Sequence, residues 1–312
     1  MNLSLERFQG CLIGLAVGDA VGTTLEFRKP GTFEPMTDMV GGGPFDLRPG
    51  FWTDDTSMAL CLAESLIEHQ EMNLRAQIGR YANWYRNGYL SSTGTCFDIG
   101  NTVCTALHRF EDNDNPVAGS RDPYSAGNGS LMRLAPVPMF YAEDPDLASL
   151  MSAESSLTTH GTRACLDACR YYSGLIVAAL HGKSKEEILS KGYRPFDKVW
   201  EVGELDDGVD RVAQGSFKER QPPEIAGTGY VIRSMEAALW AFFNSDNFKD
   251  GCLLAANLGN DADTTAAIYG QLAGAFYGLA GIPEDWRIKL HMYKEISGMA
   301  ENLWRLRHSQ TS

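Results

Sequence analysis

The sequence predicts an all-α protein: one orthogonal helical bundle of about a dozen helices, a single domain over residues 1–312. Three observations lead there. Apolar residues recur at three- and four-residue spacing along most of the chain, and no stretch alternates with the period of two that marks a half-buried strand. Two segments carry glycine at every fourth position, Gly10, Gly14, Gly18 and Gly22 in one and Gly270, Gly274 and Gly278 in the other. Glycine costs about 1 kcal/mol in a helix interior relative to alanine. Repeating it along one face makes sense where a second backbone approaches closely, so these two helices are the expected centre of the fold.

Composition fits that reading and narrows the function. With 44% hydrophobic and 21% charged residues, the chain reads as globular, without a linker or low-complexity segment, and only the tail after Arg307 is expected to be disordered. A net charge of −13 makes a nucleic-acid backbone a poor partner and suits a site that uses cations. Seven cysteines without a C-x-x-C pair match neither a disulfide framework nor a zinc site, and Cys165 and Cys169 read as small buried thiols. A reducing cytoplasm fits best, since the N-terminus lacks the pattern of a secretory signal. No apolar run is expected to reach the ~18 to 20 residues of a membrane span.

Taken in order, the first glycine-row helix occupies residues 8–22. A long Gly/Pro-rich loop follows, passing Glu26 and ending at Trp52-Thr53-Asp54-Asp55-Thr56-Ser57. Met58, Ala59, Leu62, Ala63 and Leu66 then keep helical spacing, which puts Asp54 and Asp55 at a helix start, where capping or the helix dipole would explain them singly. Asn73 opens a helix with Leu74, Ile78, Tyr81 and Tyr85 on one face. Phe97-Asp98-Ile99-Gly100-Asn101-Thr102 leads into the next, and Asp98 or Asn101 could cap it. Gly127-Asn128-Gly129-Ser130 offers backbone N–H groups for an anion, or is an ordinary turn. Asp144-Pro145 starts a helix that exits at Thr159-His160-Gly161, and His160 beside a glycine is more often a terminal capping or surface histidine than a catalytic one. Helices follow at 164–180 and 184–189, the second with a capping box from Ser184 and Glu187. Residues 201–210 read as a solvated acidic stretch, and Gly227-Thr228-Gly229-Tyr230 opens a helix bearing Met235, Leu239 and Phe242.

The second glycine row follows Gly259-Asn260-Asp261-Ala262-Asp263-Thr264-Thr265. Two residues apart, Asp261 and Asp263 are about 200° apart around a regular helix, so they converge only if Asp261 precedes the helix and Asp263 begins it. Carboxylates with hydroxyls and no nearby sulfur are the oxygen ligands of Mg²⁺, Mn²⁺ or Ca²⁺, although Asp263 or Thr264 could also be a plain cap. If this helix packs beside the Asp54–Asp55 helix, four carboxylates share one cleft. Such a cluster stays ionised only with cations, and two divalent ions would neutralise it.

Gly18-Asp19-Ala20-Val21-Gly22 with Glu26, Thr53-Asp54-Asp55-Thr56, Asp98-Ile99-Gly100-Asn101-Thr102, Ala126-Gly127-Asn128-Gly129 with Met132-Arg133, Thr159-His160, Tyr230 and Asp261-Ala262-Asp263-Thr264 occur in this order. Together they resemble the ADP-ribosylglycohydrolases, above all the bacterial dinitrogenase reductase-activating type, over nearly the whole chain. The resemblance implies an all-α fold and two Mg²⁺ or Mn²⁺ ions held by Thr53, Asp54, Asp55, Asp261, Asp263 and Thr264. It implies that Glu26, Asp98, Gly100 and Asn101 face the scissile ribose, that residues 127–130 hold a diphosphate, that Tyr230 stacks on adenine and that His160 lines the ribose end. The expected reaction is hydrolysis of the C1″ bond joining ADP-ribose to a protein side chain, with Asp55 or Glu26 handling protons. Arginine is the expected acceptor and ADP-ribose the product. The alternatives are a serine-linked or nucleic-acid-linked conjugate, or a non-catalytic ADP-ribose-binding protein.

Overall fold

The computed structural model describes residues 3–193 and 204–308. Fifteen α-helices are present among the described residues: α1 (Leu5–Gly22), α2 (Asp54–His69), α3 (Leu74–Asn87), α4 (Asn101–Asn113), α5 (Pro136–Phe140), α6 (Pro145–Ser156), α7 (Arg163–Leu180), α8 (Lys185–Ile188), α9 (Asp207–Ala213), α10 (Ser216–Glu219), α11 (Val231–Phe243), α12 (Phe248–Ala256), α13 (Ala262–Tyr277), α14 (Glu284–Lys289) and α15 (Tyr293–His308). Among the described residues, β structure is confined to three isolated bridges, Gly42 with Leu47, Ser120 with His160 and Gly127 with Tyr230. The all-α expectation holds. The count exceeds a dozen because α5, α8, α10 and α14 are one- or two-turn pieces, and α12, capped by the Asn247 side chain on the Asp250 amide, lacks a clear apolar period. Residues 201–203 of the acidic stretch and the tail beyond residue 308 lie outside the described residues.

The two glycine rows meet at the centre, as the spacing predicts. A methyl group placed on Gly10, Gly14, Gly18 or Gly22 would fall on the carbonyl oxygen of Gly274, Gly270, Ala266 or Ala262 respectively. The numbers rise along one helix as they fall along the other, so α1 and α13 run antiparallel in a four-residue register, backbone against backbone. The C-terminal end of α1, bearing Asp19, therefore lies beside the N-terminal end of α13, bearing Asp263. That register positions the site.

Leu5–Leu25 is long and apolar enough to cross a membrane by length and composition, which corrects the expectation that no run reaches that length. The segment is buried almost throughout, with Leu12, Ile13, Leu15, Ala16 and Val17 at the heart of one hydrophobic cluster that includes residues of every α-helix but α6, which packs against it through Met151. Its hydrophobicity is spent on helix packing. Cys165 and Cys169 are buried free thiols, as expected.

Candidate active site

Three helix N-termini and the loop after α1 converge on one cavity of about 340 Å³. Its lining includes Glu26, Asp54, Asp98, Gly100, Asn101, Gly127, Asn128, Gly129, His160, Asp261, Asp263 and Thr264. Carboxylates at helix starts are favoured by the partial positive charge there. None of the three helices uses them as ordinary caps, however: Thr53, Gly100 and Asp261 are the N-cap residues of α2, α4 and α13, and none accepts a capping hydrogen bond through its side chain. The capping alternatives for Asp98, Asn101, Asp263 and Thr264 are thereby removed. Asp261 does precede α13 and Asp263 lies in its first turn, the arrangement their convergence requires.

The start of α2 is capped from elsewhere. Asp19, fully buried on α1, accepts from the Thr53 amide and hydroxyl through Oδ1 (2.9 Å each) and from the Thr56 amide and hydroxyl through Oδ2 (3.0 and 2.6 Å). Burial raises its pKa to about 6 despite those four bonds. Sequence reasoning quoted Asp19 only as part of a motif. Its N-terminal-capping partners lie 34 and 37 residues downstream, so nothing local could reveal the role.

Carboxylate oxygens of Asp19, Asp55 and Asp263 lie within 4.8 Å of one another, and so do those of Glu26, Asp98 and Asp263. Asp263 belongs to both groups. Thr53 Oγ1 stands 3.3 Å from Asp263 Oδ2, and the Thr264 hydroxyl donates to Asp55 Oδ1 at 3.1 Å. Asp55 Oδ2, Asp263 Oδ1 and Glu26 Oε2 are buried with no hydrogen-bond partner. Orphaned anionic oxygens are costly unless something pairs with them. An all-oxygen set with unsatisfied buried carboxylates fits a hard divalent cation.

Electrostatics say the same. Burial first, then the carboxylates of Asp263, Asp98 and Asp54, pushes the Glu26 carboxyl up to about 12. Asp98 rises to about 7, mainly through burial, and its hydrogen bond with Glu26 works in the opposite sense, leaving Glu26 the protonated partner. Asp54, Asp55 and Asp263 are raised well above the usual carboxylate range by burial and by one another. A bound cation inverts this order and holds the ligating carboxylates ionised.

Backbone strain gathers at the rim. Phe27, Asp98 and Asn260 all have positive φ (60°, 59° and 55°). Asp and Asn tolerate this region, but a bulky residue such as Phe does so only when its surroundings impose it. Two backbone bonds do so here, Phe27 N–H to Asn260 O (2.6 Å) and Asn260 N–H to Arg28 O (2.7 Å), which tie the Glu26 loop to the Asp261 turn.

The glycine loop is part cradle and part framework. The Gly127 amide donates to Ser125 O and the Asn128 amide to Gly229 O, while those of Gly129 and Ser130 have no protein acceptor among the described residues. Asn128 turns its side-chain amide on Asp261 Oδ2 (2.5 Å) and the Ser234 hydroxyl (2.9 Å), so it orients a carboxylate. Ser130 faces inward, accepting from the Ser156 hydroxyl at 2.8 Å. His160 is 1% exposed, a buried residue and not the surface histidine its glycine neighbour suggests. Its ring lies against the loop so closely that a methyl group on Gly129 would be 2.8 Å from Cε1, which is why glycine stands there. Tyr230 is outside the cavity lining, 45% exposed at the N-cap of α11, and its backbone bridges to Gly127. Thr53 and Asp55 lie beneath the cavity floor with no exposure.

The family model for ADP-ribosylglycohydrolase matches residues 1–312. This chain belongs to the ADP-ribosylglycohydrolase family. It is 42% identical over 301 residues to the ADP-ribosylarginine hydrolase Tri1 of Serratia proteamaculans (strain 568), covering 96% of this chain and 80% of that protein. To the ADP-ribosyl-(dinitrogen reductase) glycohydrolase of Rhodospirillum rubrum it is 30% identical over 298 residues, covering 93% and 92%. The dinitrogenase-type resemblance is thus present, and the Tri1 likeness exceeds it. A solved ADP-ribosylglycohydrolase-related protein complex superposes with a TM-score of 0.85 at 42% identity, covering 97% of this chain and 98% of that one.

Proposed function

We propose that this ADP-ribosylglycohydrolase is a metal-dependent hydrolase that releases ADP-ribose from modified arginine side chains of proteins. The observation that carries the reading is the convergence of Glu26, Asp54, Asp98, Asp261, Asp263 and Thr264, from four separate parts of the chain, on one cavity. Support for arginine comes from relatives named ADP-ribosylarginine hydrolases at 42% and 41% identity. A guanidinium leaving group also suits the acidic Glu26–Asp98 end, where paired donors meet carboxylate.

Thr53, Asp54, Asp55, Asp261, Asp263 and Thr264 would hold two Mg²⁺ or Mn²⁺ ions, which supply positive charge to fix ribose hydroxyls and stabilise charge in the transition state. Asp19 holds Thr53 in place, and Asn128 holds Asp261. Glu26 and Asp98, together at the scissile end where an oxocarbenium-like transition state would develop, are the proton-handling pair in this reading. The buried Asp55 is a ligand in this reading and gives up the proton-transfer role the sequence allowed it. Residues 127–130 and His160 take the diphosphate end, and Tyr230, beside Gly229, can close over the adenine. Seven free cysteines suit a reducing cytoplasm.

Parallel incubation with arginine-ADP-ribosylated protein, serine-ADP-ribosylated peptide and ADP-ribosylated nucleic acid tests the reading, each with Mg²⁺ or Mn²⁺ and with excess chelator. Cation-dependent release from arginine is expected. Release from serine or nucleic acid with the arginine conjugate intact would reassign the substrate, and tight ADP-ribose binding without any release would leave a binding protein.

A further inference from the structure

Arg133 is fully buried and has no carboxylate partner among the described residues, an expensive place for a cation. It is held by other means. Its Nη1 donates to Gly129 O at 3.0 Å, its Nη2 to the hydroxyls of Thr158 (3.2 Å) and Thr159 (2.7 Å), and its guanidinium carbon lies 4.5 Å from the centre of the Tyr81 ring. Thr159 Oγ1 is in turn 2.8 Å from His160 Nδ1.

A guanidinium donates only, so in the Arg133–Thr159 bond the hydroxyl oxygen must be the acceptor. That settles where the Thr159 proton goes. Among the described residues its one remaining acceptor is His160 Nδ1, and Thr159 is fully buried, so a proton on Nδ1 would leave the hydroxyl hydrogen without a partner. The ring nitrogen facing Thr159 is therefore the bare one. Burial and then the Arg133 charge depress the His160 pKa to about 3, so the ring is neutral as well. Its one proton is on Nε2. That atom makes no hydrogen bond to protein among the described residues, and it lies 3.3 Å from where a methyl group on either Gly127 or Gly129 would project, at the cavity wall.

We propose that Arg133, acting through Thr159, is a positioning residue that fixes His160 as a neutral Nε2–H donor aimed at an acceptor oxygen of the ligand seated over the Gly127–Ser130 loop. The same guanidinium grips Gly129 O, so one buried cation sets both the loop and the donor beside it. The ligand class, an ADP-ribose diphosphate or ribose oxygen, rests on the function proposed above. The tautomer does not.

Thr159→Val removes the hydroxyl while keeping the side chain's shape, and Thr159→Ser restores it. Two-bond ¹⁵N spectra of histidine-labelled protein near neutral pH report which ring nitrogen of His160 carries the proton, and calorimetry with ADP-ribose reports affinity. The wild-type protein and Thr159→Ser should show Nε2–H alone, whereas Thr159→Val should show both tautomers and bind ADP-ribose about tenfold more weakly, the size of one lost hydrogen bond. If Thr159→Val fails to fold, the smaller Thr159→Ala serves the same comparison. A wild-type proton on Nδ1, or a valine or alanine variant with unchanged tautomer and affinity, overturns the inference. Absence of ADP-ribose binding by the wild-type protein would instead overturn the proposed function, while the spectra still decide the tautomer.

Discussion

Replacing Gly14 by alanine tests whether backbone contact between α1 and α13 is what assembles the molecule. The added methyl would fall on the Gly270 carbonyl oxygen and lie 3.0 Å from the Gly274 Cα. Carbon atoms pack best at about 3.5 to 4.0 Å, and both obstacles are backbone, so no rotamer change relieves the overlap and the helices must part by roughly 1 Å. Alanine gains about 1 kcal/mol over glycine in helix propensity, while overpacking typically costs about 1 to 3 kcal/mol and sometimes more. With this much rigid overlap the cost should lie at or beyond the upper end, about 3 kcal/mol, for a net loss of about 2 kcal/mol or more. At roughly 2 to 4 °C per kcal/mol in a large domain, the melting temperature should drop by at least about 4 to 8 °C. Gly79 in α3 is the control, because a methyl there meets nothing within 4 Å, and Gly79→Ala should be stabilising by up to about 1 kcal/mol. Calorimetric melts in chelator measure both. A Gly14→Ala variant that melts at or above the wild-type temperature, as Gly79→Ala should, would refute the close-contact argument. Cation titration supplies a second reading, since parting α1 from α13 also separates Asp19 from Asp263.

Asp98→Ala should lower kcat for the arginine conjugate far more than it weakens ADP-ribose binding, because Asp98 lies at the Glu26 end while the loop and His160 are untouched; equal losses in single-turnover rate and calorimetric affinity would count against it. Stability in chelator should depend on pH through the acid cluster. Asp19 and Asp98, near 6 and 7, are raised above their unfolded value of about 3.9, so the stability they contribute is complete below about pH 4 and is lost as pH rises through 6 and 7. The melting temperature should fall between about pH 5 and 8 in chelator, and saturating Mg²⁺ should flatten that fall; a slope that is absent in chelator, or unaffected by the cation, contradicts the account.

The parts of this architecture that the sequence exposes are those with a local cause. Glycine at every fourth position can only mark a close-packed face, and that face is where α1 meets α13. The placement of Asp261 before a helix and Asp263 in its first turn follows from 3.6 residues per turn, and Asn73, Asp144 and Ser184 cap the helices their positions suggest. What stayed hidden is where loop side chains point. Asn128 and Ser130 sit in a motif whose backbone invites a ligand, and nothing in it reveals that the Asn128 side chain orients Asp261 and the Ser130 side chain joins Ser156, because α11, α13 and α6 reach them from far along the chain. His160 looked terminal or superficial, and its burial depends on the loop at Gly129 lying across it. Arg133 gave no signal beyond its motif, since an arginine stabilised by a carbonyl, hydroxyls and an aromatic face has no charge partner to find.

The glycine register and the acid cluster are best understood as one device. Raised pKa values at Glu26, Asp54, Asp55, Asp98 and Asp263 mean that folding brings together carboxylates that would sooner stay apart in water. Helix N-termini offset part of that repulsion, and the buried oxygens left without partners mark where they do not. Something rigid must hold the acids in register against their own charge. Backbone-to-backbone packing of α1 on α13 does this with no side chain able to yield between them, and Asp19 carries the constraint across to α2 through four hydrogen bonds. Under the proposed metal dependence a cation would bind a cluster already assembled, and the repulsion borne by the ion-free fold would become affinity for the ion. On this argument, loosening the helix pair and removing a carboxylate weaken cation binding for opposite reasons. The first gives up pre-organisation and destabilises the empty protein, whereas the second gives up a ligand and relieves it.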